Sequence, residues 1–73
     1  MWLKHLDLSN NIIDDTAGTL LAKALKDMYS METLNLKDNL LGFQSGEALF
    51  YLVQENKTIC RLLLDLNMCK YEH

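Results

Sequence analysis

The chain has 73 residues, 49% apolar and 23% charged, with seven basic against ten acidic side chains and no proline. That balance fits a folded chain rather than a disordered one, and a net charge of −3 disfavours a nucleic-acid surface. Its apolar runs are short, Leu62-Leu63-Leu64 for example, so none spans a membrane; Lys4, His5 and Asp7 break the start where a signal peptide needs an apolar run.

The first predicted element is a strand over Leu3–Leu8, in which Leu6 and Leu8 alternate with Asp7. A turn at Asn11 leads to a helix from about Thr16 to Met28, entered through Asp14 and Asp15, whose charges suit the positive end of the helix dipole. Ala17, Leu20, Leu21, Ala24 and Leu25 form its apolar stripe at i, i+3, i+4, i+7 and i+8. A second strand ends at Leu36, with a turn at Asn39. A second helix follows Gly42 and runs from about Gln44 to Glu55, and a third strand runs from Ile59 to a turn at Asn67.

These elements are copies of one unit. Leu3, Leu6, Leu8, Asn11 and Ile13 recur 28 residues later as Met31, Leu34, Leu36, Asn39 and Leu41, and 28 later again as Ile59, Leu62, Leu64, Asn67 and Cys69. The helices align too: Ala17-Gly18 with Ser45-Gly46, Leu20-Leu21 with Ala48-Leu49, Ala24-Leu25 with Leu52-Val53. The modules are therefore 3–30, 31–58 and a partial 59–73. Stacking such modules predicts a parallel sheet on one side and helices on the other. Leu6, Leu34 and Leu62 then form one column and Leu8, Leu36 and Leu64 another, each burial stabilising by roughly 1.5–3 kcal/mol. The side chains of Asn11, Asn39 and Asn67 offer a donor and an acceptor to the inward-turning backbone, a structural role. Gly18 and Gly46 stand where glycine costs up to ~1 kcal/mol relative to alanine, which predicts a close approach of helix to sheet. A phosphate loop is excluded, since neither G-x-G-x-x-G nor G-K-[ST] occurs.

The runs Leu3-Lys4-His5-Leu6-Asp7-Leu8-Ser9-Asn10-Asn11 and Met31-Glu32-Thr33-Leu34-Asn35-Leu36-Lys37-Asp38-Asn39 carry L-x-x-L-x-L-x-x-N-x-L, followed by a helix with G-x-x-L. This pattern resembles the leucine-rich repeat over nearly the whole chain. Its 28-residue period with a full helix is similar to the ribonuclease-inhibitor subclass, shared by Ran GTPase-activating proteins, NOD-like receptors and several ciliary proteins. The resemblance implies an α/β solenoid, a horseshoe segment with parallel strands on the concave face and helices on the convex face. It also implies an asparagine ladder along Asn11, Asn39 and Asn67, and a concave face that binds protein.

On that face the template exposes Lys4, His5 and Asp7, then Glu32, Thr33, Asn35 and Lys37, then Arg61, Leu63 and Leu66. Interspersed charges of both signs suit a polar protein partner better than a polyanion. Leu63 replaces Asp7 and Asn35, and Leu66 replaces Asn10. Exposed leucines mark a contact or cover further chain, as does the change from Ala22-Lys23 to Phe50-Tyr51. His5 and Cys60 fall on the first and third strands, about 10 Å apart at two strand spacings, so no nucleophile–base pair forms. No catalytic, cofactor-binding or metal-binding residue is predicted. Cys69 stands where Ile13 and Leu41 do and reads as a small hydrophobe. A bridge from Cys60 to Cys69 would be awkward, so reduced thiols and a cytoplasmic setting are expected.

The last strand has no helix behind it, and Met1-Trp2 supplies no polar cap, whereas solenoids need about three modules and capped ends. The expectation is a segment of a longer protein, or one completed by another subunit, end-to-end stacking with itself included. The expected function is a non-enzymatic protein-interaction scaffold, with no cofactor, nucleic acid or membrane involved. The alternatives are an enzyme regulator, such as a GTPase activator or inhibitor, and a structural subunit of a cytoskeletal or ciliary assembly.

Overall fold

A computed structural model describes residues 3–69. The Met1-Trp2 end and the last four residues of the 59–73 module lie outside the described residues. Strands β1 (His5–Asp7), β2 (Thr33–Asn35) and β3 (Arg61–Leu63) alternate with helices α1 (Asp15–Leu25) and α2 (Phe43–Glu55). The strands are parallel and ordered β1-β2-β3. His5 pairs with Thr33 and Thr33 with Arg61, Leu6 with Leu34 and Leu34 with Leu62, so the register equals the sequence period. The chain is a small α/β structure with an open three-stranded sheet.

The core is centred on the middle module. Met31, Leu34, Leu36, Leu41 and Leu49 are fully buried, joined by Ala22, Leu25, Leu52 and Ile59. Of the six column leucines only Leu34 and Leu36 are buried; Leu6, Leu8, Leu62 and Leu64 are half-buried. The reason is lateral, because a residue on β2 has neighbours on both sides and one on β1 or β3 has a neighbour on one.

The same asymmetry corrects the expected stripe of the first helix. Gly18, Ala22 and Leu25 are its buried residues, whereas Ala17 and Ala24 are exposed and Leu20 is 62% exposed. At 3.6 residues per turn Leu20 lies about 160° around the helix from Ala22. Ala22 faces α2, and among the described residues nothing covers Leu20. In α2 the expected stripe is seated: Ser45, Leu49 and Leu52 are buried, and Ala48 and Val53 are half-buried.

The glycines serve close contacts between modules rather than helix-to-sheet approach. A Cβ at Gly18 would strike the Leu41 side chain and come within 2.9 Å of Ser45 Cβ; one at Gly46 would come within 2.9 Å of Cys69 Cβ. Helix α1 ends at Leu25, three residues before Met28. The Met28 N–H turns back to the Leu25 carbonyl at 3.0 Å, and its side chain tucks against the core. Asn56 then reaches across: its amide donates to the Met28 carbonyl at 3.0 Å and the Leu25 carbonyl at 3.4 Å, while its Oδ1 accepts from the Thr58 N–H and hydroxyl. That satisfies carbonyls that a helix end leaves open.

The two aspartates entering α1 divide their work. Asp14 caps its own helix, accepting the Ala17 N–H at 2.8 Å. Asp15 caps the next one. Gly42, at the N-cap of α2, has no side chain to offer, and Asp15 accepts the N–H groups of Gly42, Gln44 and Ser45 and the Ser45 hydroxyl. Those N–H groups are the orphan donors of a helix start. The asparagines tie modules in the opposite direction, Asn39 and Asn67 each reaching back to the module before. Asn39 is buried; its amide donates to the carbonyls of Leu8, Leu36 and Lys37, and its Oδ1 accepts the Ile13 N–H. Asn67 repeats this with Leu36, Leu64, Asp65 and Leu41. Among the described residues Asn11 makes the local pair alone, to Leu8 and Ser9.

Candidate functional site

Strand alternation sends Leu6, Leu34 and Leu62 inward and presents their neighbours on the other face of the sheet. The register sets these neighbours in two rows: His5, Thr33 and Arg61, then Asp7, Asn35 and Leu63. Lys4 and Glu32 extend the first row on one side, their charged groups 3.8 Å apart. Lys37 lies beyond the second row, 3.9 Å from Asp65. Both ion pairs are solvent-exposed and contribute at most about 1 kcal/mol, so these side chains remain available to a partner.

The second row is locally held. The Asp7 carboxylate accepts the Ser9 hydroxyl at 2.6 Å and its N–H at 2.9 Å, and the hydroxyl bond, with the N–H bond adding, holds the Asp7 carboxyl below its ordinary value. Asn35 Oδ1 accepts the Lys37 N–H at 3.1 Å. Leu63 is half-buried. Leu66 is not on the sheet at all: it occupies the turn after β3 with φ 63°, the left-handed position held by Asn10 (φ 59°) and Asp38 (φ 57°) in the other modules.

His5 and Cys60 are separated by β2, and the Cys60 thiol faces the Glu32 carbonyl at 3.5 Å. Cys60 and Cys69 are both free thiols. Burial raises the Cys69 thiol above its ordinary value. Among the described residues no cluster of three His, Cys, Asp or Glu could hold a metal, and no helix is long and apolar enough to cross a membrane. The arrangement sets side chains of both charge signs side by side on one face of the sheet.

Two features were not read from the sequence. One is a groove of about 260 Å³ between the helices, where Ala22 and Ala48 are too small to fill the space beneath Tyr51 and Lys26. The other is a set of exposed apolar side chains, Ile12, Leu40 and Met68 on the strand-to-helix loops and Phe43 at the start of α2, which join the exposed Leu66 expected from the sequence. Its signal was present, since the variable position of N-x-L is apolar in all three copies. No family model, curated protein or solved structure matches the chain.

Proposed function

We propose that the chain is a segment of a leucine-rich-repeat solenoid acting as a non-enzymatic protein-interaction scaffold, and that it contacts its partner through the outer sheet face. The observation that carries this reading is the pair of registered rows, His5/Thr33/Arg61 and Asp7/Asn35/Leu63, built by a repeat whose period equals the strand register. Lys4, Glu32 and Lys37 flank the rows, and Leu66 lies at their end. Mixed charge over a surface with an apolar point at Leu63 suits a folded protein partner. The half-covered Leu6, Leu8, Leu62 and Leu64 fit a sheet continued by further modules or by another copy stacked end to end. The two free thiols suit a reducing, cytoplasmic compartment.

Affinity capture with the wild-type chain, an Arg61→Glu/Lys37→Glu variant and a helix-face Lys26→Glu control tests the reading. A partner retained by the wild type and the control but lost by the sheet-face variant supports it. A partner lost equally from the helix-face control, or kept by all three, counts against the sheet face.

A further inference from the structure

We propose a second interaction surface, adjoining the sheet face at Leu66: the strand-to-helix loops form an acidic-rimmed apolar ridge that docks a basic amphipathic helix. Ile12, Leu40 and Met68 occupy the same position of the three modules and are 82%, 50% and 78% exposed. Phe43, opening α2 beside Leu40, is 76% exposed, and Leu66 beside Met68 is 77% exposed. Scattered single leucines on a surface need no explanation, but exposed apolar side chains at the same position of all three modules do. Leu66 sharpens the point, because a leucine held at φ 63° is sterically strained where Asn10 and Asp38 are not.

The geometry of the row selects the occupant. Successive modules in a sheet lie about 4.8 Å apart, which matches the ~5–6 Å between side chains three or four apart on a helix. Same-face residues of an extended peptide are about 6.6 Å apart and drift out of step with the row. The backbone beneath the ridge is already paired, Leu40 N–H with the Ile13 carbonyl and Met68 N–H with the Leu41 carbonyl, both at 2.9 Å. Contact must therefore come from side-chain packing rather than strand addition.

Charge selects its sign. Segments 8–22, 36–50 and 64–69 hold five acidic residues and one basic residue, Lys37, which pairs with Asp65. Asp14, Asp38 and Asp65 are exposed there. An amphipathic helix with lysine or arginine beside its apolar stripe complements this rim, whereas a second copy of the chain would bring acid against acid.

A designed helical peptide with leucines on one face and lysines on the other is the probe, and the same peptide with glutamates for lysines is its counterpart. Binding of the lysine peptide is expected at least about tenfold tighter than that of the glutamate peptide, and weaker with added salt. Leu40→Ser and Ile12→Ser should each weaken it about tenfold, while Leu20→Ser on α1 should leave it unchanged; circular dichroism checks that each variant is folded. Equal affinity for both peptides, or equal losses from Leu20→Ser and Leu40→Ser, overturns the proposal. So does sedimentation showing a dimer that Leu40→Ser dissociates, which would make a second copy the occupant.

Discussion

The carboxylate of Asp15, on the first helix, accepts the Ser45 N–H at 2.7 Å and the Ser45 hydroxyl at 2.6 Å on the second helix, 30 residues away. The hydroxyl bond, with the backbone bonds adding, pulls the Asp15 carboxyl below its ordinary value of 3.8. A carboxyl whose folded value is depressed stabilises the fold fully above its unfolded value and loses that stabilisation as pH falls below 3.8 and through the folded value. Asp15→Asn should therefore lower the urea midpoint at neutral pH and flatten its decline in acid. Curves for variant and wild type that stay parallel through the acid range would refute this linkage.

The Asp15 cap is replaceable in principle, because Gly42 sits in an extended conformation open to any residue (φ −118°, ψ −153°). In an Asp15→Ala background, Gly42→Asp supplies an ordinary N-cap and should recover part of the lost denaturation midpoint. No recovery would mean that the Asp15 carboxylate holds the modules together by more than capping.

Position in the stack should set the weight of identical substitutions. Leu34→Ala removes a fully buried side chain and should destabilise by about 2–5 kcal/mol, whereas Leu62→Ala, half-buried at the sheet edge, should lose roughly 1–2 kcal/mol. Chemical denaturation of both variants checks the ratio; equal losses would deny that the middle module carries the core.

Leu66→Asn should stabilise by about 1 kcal/mol, since asparagine tolerates the left-handed backbone that leucine resists. Thermal melting measures this directly. A loss of stability instead would show that the exposed leucine packs on something in the free chain.

Gly18→Ala sets two effects against each other. Alanine gains up to ~1 kcal/mol of helix propensity, but its methyl meets Leu41 and Ser45 Cβ at the module junction. Overpacking of about 1–3 kcal/mol should win, giving a net loss in urea denaturation. A more stable variant would mean that the junction opens easily.

Periodicity made the strands, the helices and their order legible, because a 28-residue repeat fixes which side chains become lateral neighbours. It showed that the last strand has no helix behind it, but not that the first helix would leave Leu20 open. Leu20 and Ala48 are equivalent in the template, yet Leu20 is exposed and Ala48 is half-buried, lining the groove between the helices. The Asp15 and Asn56 contacts were illegible for a different reason: each is a departure from the repeat, so no second copy marks it. Met28 in place of Asn56, and Phe43 in place of Asp15, read as noise in an alignment of modules, although Asn56 and Asp15 are the side chains that bond across the junction. On the sheet face the two rows followed from register, while the place of Leu66 depended on a backbone angle that the leucine itself does not suggest.

The side-chain hydrogen bonds between modules share one property, a chain separation of 26 to 31 residues, from Ile13 with Asn39 to Asn67 with Leu36. Among the described residues none joins the first module to the third. The entropy of loop closure grows only slowly with length, but here it is set once and met again at the same value for each added module. Folding of such a chain can start at any pair of neighbouring modules and propagate, without waiting for contacts between distant segments.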